Sequence, residues 1–138
     1  MRGILLAAVV LVLLAALGLR AAYRHSVISD VRTATTGLSW PADSDVLELS
    51  SDSSFQSAHS SLKLRIPEDE RALFLANTPK LTVDGCRASS PSTVFQGPAP
   101  SGLRCIEGSS GGPDWTQSWR ATFDAATGEL SIGVDSFW

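Results

Sequence analysis

The stretch WRATFDAATGELSIGV, residues 119–134, alternates apolar and polar side chains, pauses at 124–128, and alternates again. Alternation with period two gives one face to a core and the other to water, the mark of a half-buried strand. The pause opens with Asp124 and closes with Gly128, residues that suit a turn. A hairpin over Trp119–Phe123 and Leu130–Val134 is therefore predicted, with Leu130, Ile132 and Val134 facing the core.

Working back from the hairpin, Leu62-Lys63-Leu64-Arg65-Ile66 alternates in the same way, with Lys63 and Arg65 on the wet face. Pro67 changes the grammar, because proline suits the first helical turn and Glu68, Asp69 and Glu70 complement the helix dipole there. A helix is predicted to about Ala76, its apolar side made by Ala72, Leu73, Phe74 and Ala76, with Asn77 and Thr78-Pro79 as the stop. Val46–Leu49, Leu81–Val83 and Leu103–Ile106 read as further short strands. Ser50–Ser61, with seven serines, reads as a loop, as does Ser89–Gly102. Four to six short strands with one helix between them predict an α+β domain: a small antiparallel sheet with one packed helix.

The N-terminal part obeys different rules. Gly3 to Leu19, GILLAAVVLVLLAALGL, carries no charge and lies between Arg2 and Arg20. About 17 residues can just cross a ~30 Å hydrocarbon core, and Ala22, Tyr23 and a snorkelling Arg20 lengthen the span. Residues 1–23 are read as a transmembrane signal anchor, 24–37 as a juxtamembrane stalk and 38–138 as an extracytoplasmic domain. The alternative is a cleaved secretory signal processed near Ala16, Gly18 or Ala22, although no strong cleavage box is present. A positive-inside count favours a cytoplasmic domain; the short N-terminal flank and the cysteines favour export.

The chain carries a net charge of −3. From Thr33 onward thirteen acidic residues stand against seven Lys and Arg. Such a domain has no footprint for nucleic acid, whereas Arg20, Arg24 and Arg32 suit lipid headgroups. Cys86 and Cys105, the only cysteines, lie near turn-forming residues and are read as one disulfide.

CIEGSSGGP, residues 105–113, resembles the G-D-S-G-G-P segment around the nucleophile of chymotrypsin-like serine proteases, and Ser57-Ala58-His59 resembles the approach to their catalytic histidine. That resemblance implies Ser110 as nucleophile and His59 as base. Ser109 replaces the motif's Asp, and a chain of this length cannot hold the two barrels of that family. The reading preferred from sequence is a flexible Gly/Ser loop and no enzyme, with a small serine hydrolase as the alternative. Asp43, Asp45 and Asp52 lack the spacing of a calcium loop, and no cofactor motif is present. Trp40, Trp115, Trp119 and Trp138 are assigned to core packing ahead of an aromatic ligand platform.

Pro41-Ala-Asp-Ser-Asp-Val46-Leu47, a polar turn, an alternating strand and the late Asp124-x-x-Thr127-Gly128-x-Leu130 hairpin together resemble small uncharacterised actinobacterial membrane-anchored proteins. The likeness covers most of the domain; those proteins have a Gly- and Asp-rich turn where this chain has Ser53–Ser61. It implies an envelope location and no particular activity. The partners expected are the membrane, through Gly3–Leu19, and an envelope protein or wall component.

Overall fold

A computed structural model describes residues 2–88 and 102–138, without the side chains of residues 2, 3, 87 and 88. The described elements are α1 (Arg2–Ala34), β1 (Asp45–Ser53), β2 (Ser57–Arg65), α2 (Glu68–Asn77), α3 (Gly85–Ala88), β3 (Leu103–Gly112), β4 (Trp115–Asp124) and β5 (Glu129–Phe137). The strands form one antiparallel sheet in the order β1-β2-β5-β4-β3, so the chain is an α+β protein. The β4–β5 hairpin lies at the sheet's centre. Trp119, Ala121 and Phe123 of β4 and Leu130, Ile132 and Val134 of β5 are all buried on one face. Gly128 closes the turn at φ 74°, a conformation that favours glycine.

The helix α1 does not stop at the apolar run. Where the sequence reads as a stalk, residues 24–34 continue the same helix, and Val27, Val31 and Ala34 are buried in the core. Their spacing of four and three residues puts them on one stripe, which lies across the sheet. After the helix, Leu38 joins that core and the buried Thr35 and Thr78 tie the junction. The Trp40 indole N–H donates to Thr35 Oγ1 (3.2 Å), and the Ser39 amide donates to Thr78 Oγ1 (3.1 Å). Arg32 lies 5.6 Å from the Trp40 ring centroid, a cation–π contact at the same junction.

The Ser-rich stretch is a correction to the sequence reading. Ser50–Ser61 is not a loop: β1 runs to Ser53 and β2 starts at Ser57, leaving only residues 54–56 as the turn. Serine has little strand propensity of its own, but β2 pairs residue for residue with β5 from Ser57 to Arg65, and that template carries β1 with it. Ser50 and Ser61 hydroxyls lie 2.7 Å apart and those of Ser51 and Ser60 3.2 Å apart, cross-strand hydrogen bonds that support the ladder.

Three smaller corrections follow from packing. The buried side of α2 is Phe74, edge-on to Phe123 at 5.2 Å, with Leu75 half-buried; Ala72, Leu73 and Ala76 face outward. Leu81–Val83 is not a strand but a single bridge, Thr82 to Cys105. Gly108–Gly112 is not a loop but the second half of β3, paired with β4 as far as Trp115. Residues 89–101 of the predicted loop lie outside the described residues. Cys86 and Cys105 are bonded, with Cα atoms 4.8 Å apart, which fastens α3 to β3.

Candidate functional site

Both α1 and α2 bury the same face of the sheet; among the described residues the opposite face is touched only at its β3 edge, by α3 through Cys86–Cys105. Register lays the side chains of this open face out in rows that cross the strands. One row holds Asp52, His59, Asp135, Ser118 and Ser109 on β1, β2, β5, β4 and β3. The next holds Ser50, Ser61, Gly133, Arg120 and Glu107, and a third Glu48, Lys63, Ser131, Thr122 and Cys105. Gly133 has no side chain in the middle of the second row. The result is an open hollow of about 1030 Å³ bordered by His59, Ser61, Arg120, Thr122, Ser131 and Asp135.

The charges on this face are largely paired. His59 Nδ1 lies 2.6 Å from Asp135 Oδ1. Arg120 donates to Glu107 (3.2 Å), Arg65 donates to Glu129 (3.3 Å), and Lys63 lies 4.0 Å from both Glu129 and Glu48. His59 and Asp135 are each about half exposed (53% and 51%), so water competes for the pair and it contributes less than about 1 kcal/mol to stability. Its value is positional: Nδ1 is held by a carboxylate, which leaves Nε2 directed elsewhere. Counted by register, the described face presents Asp45, Glu48, Asp52, Glu107, Asp124, Glu129 and Asp135 against Lys63, Arg65 and Arg120, so it is acidic.

The sheet separates the two residues that the protease-like motif would join. His59 belongs to the open face, in one row with Ser118 and Ser109, whereas Ser110 pairs with Gln117 on the face that carries α1. Asp43 precedes β1, Asp45 begins it and Asp52 lies near its end, so the strand holds Asp52 apart from the other two. Among the described residues no cluster of three His, Cys, Asp or Glu side chains is arranged to hold a metal ion. The tryptophans also divide. Trp119 is buried and Trp40 is half-buried in the segment after α1, while Trp115 and Trp138 are exposed at one end of the sheet.

Sequence reasoning missed Asp135, because a lone acid in an alternating strand says nothing until β2 lies beside β5. The opposition of His59 and Asp135 is a product of register alone. Comparison with known proteins adds no relative: no family model, curated protein or solved structure matches the chain. Fold and site together define a membrane-anchored or secreted α+β domain, closed by a disulfide and presenting one open polar sheet face.

Proposed function

We propose that the protein is retained by α1 as a single-pass membrane protein and that its sheet displays a binding surface outside the cytoplasm. The observation that carries this reading is the asymmetry of the sheet. One face is covered by α1 and α2, while the other offers hydroxyls, paired charges and a hollow over which, among the described residues, no helix packs except α3 at the β3 edge, through Cys86–Cys105. Retention is supported by the helix itself, which runs without a break through positions 16–22, where a signal peptidase would need an accessible, small-residue cleavage segment. The disulfide supports an oxidising compartment.

The acidic balance of the open face selects among envelope partners. It suits an uncharged, hydroxyl-rich wall component or a basic protein segment, and it disfavours an anionic polymer. The test is a photo-crosslinking side chain placed at Thr122 or Ser131 on intact cells, with the same group at the exposed Ala72 of α2 as control. Light-dependent adducts from the face positions alone, on a domain that externally added protease digests in spheroplasts, are the expected result. Equal adducts at all three positions, or protection from the protease until lysis, would contradict the reading.

A further inference from the structure

We infer that the end of the sheet formed by the β1–β2 turn, the β3–β4 turn and the end of β5 sits in the membrane interface beside α1, with Phe55, Trp115, Phe137 and Trp138 as its contacts. The inference rests on the reading of α1 as a retained span. Its direction comes from one contact: the Tyr23 hydroxyl donates to the Ser51 carbonyl (3.4 Å), two residues before the end of β1. From Tyr23 the helix crosses the core through Val27, Val31 and Ala34 and leads, through Leu38 and Trp40, to the start of β1 at the opposite end of the sheet. The apolar half of α1 therefore leaves the domain at the end that holds residues 54–56, 113–114 and 138.

The levels agree. Along the helix Tyr23 is about 6 Å from Leu19, the last residue of the apolar run. Two further residues of strand carry β1 about 6–7 Å from Ser51 to Ser53, and the turn with Phe55 follows. Phe55 thus comes to the level where the apolar run ends, with Arg20 and Arg24 placed for the headgroups.

Composition agrees as well. Phe55 is 92% exposed, and Trp115, Phe137 and Trp138 are each about half exposed, all at this end. Among the described residues of the domain, the other large apolar side chains that are exposed are aliphatic, Leu47, Leu73 and Val83. Nor is the rim frayed. The Trp138 amide donates to the Gln56 carbonyl (3.2 Å) and its indole N–H to the Phe55 carbonyl (3.0 Å), which ties the end of β5 to the turn. Tryptophan, an apolar ring with one N–H, favours the boundary between hydrocarbon and headgroups, and Phe55 and Phe137 add apolar area beside it. Seated there, they hold the strands pointing away from the bilayer and the open face at a fixed height above it.

The test uses the full chain in phosphatidylcholine–phosphatidylglycerol vesicles, with a thiol-reactive NBD fluorophore at Gln56→Cys in the turn or at Asp69→Cys on α2, at the far end. Both positions are exposed, and the native cysteines are occupied by their disulfide. Lipids spin-labelled near the headgroup should quench the turn label several-fold more than the α2 label, and Ser54→Cys, in the same turn, should repeat the result. Protein that floats with the vesicles but is quenched equally at both ends overturns the interfacial rim and leaves the anchor standing. Protein that does not float overturns the anchor, and the rim with it.

Discussion

Gly108 and Trp119 oppose each other in the β3–β4 ladder, and a β-carbon built on Gly108 would lie 2.6–2.8 Å from the indole ring. The glycine is thus a seat for the buried tryptophan, not part of a flexible loop. Gly108→Val should destabilise the domain by about 1–3 kcal/mol through overpacking, read as a lower denaturant midpoint, while the exposed Ser110→Ala should change it by less than about 0.5 kcal/mol. Equal tolerance at both positions would contradict this packing. Arg71 has a comparable hidden role, since its guanidinium donates to the carbonyls of Ile66, Ala126 and Thr127 and fastens α2 to the β4–β5 turn. Neither role was legible in the sequence. A glycine among serines reads as a loop, and an arginine after three acids reads as a solvated helix face, until tertiary pairing supplies the partner.

Among the elements, the β4–β5 hairpin and α2 were legible because alternation and the proline-plus-acid start are local signals. Of the β1–β2 hairpin, Val46–Leu49 and Leu62–Arg65 were legible as strands but the Ser-rich half that joins them was not, because its strand character is imposed by β5 against the preference of six serines. The lower half of α1 occupies a middle case: Val27, Val31 and Ala34 carry a helical stripe in plain view, but the segment reads as polar beside the stronger apolar run. Its core role can be measured. Val31→Ala in the full chain in detergent should cost about 2–3 kcal/mol in urea unfolding, as expected for a truncated core side chain, whereas the exposed Ser29→Ala should be near neutral. If residues 24–34 were a free stalk, both changes would be silent.

For the whole molecule, one helix is both the apolar segment and part of the domain's core, so no hinge lies between them. From Leu19 to the first buried residue, Val27, the helix advances only about 12 Å without a break. The open polar face is the part of the candidate site that sequence could not assemble. Its rows exist only once five strands are in register, although His59 and the serines were visible one by one. Rigid mounting is the claim on which the proposed display of that face and the aromatic rim both depend. Spin labels at Leu17→Cys in the apolar run and Asp69→Cys on α2, in the full chain in lipid, test it by the distance distribution between them. A continuous, docked α1 predicts one narrow peak. A flexible stalk over residues 24–37 would spread the distance over about 20 Å, and that result would contradict the account.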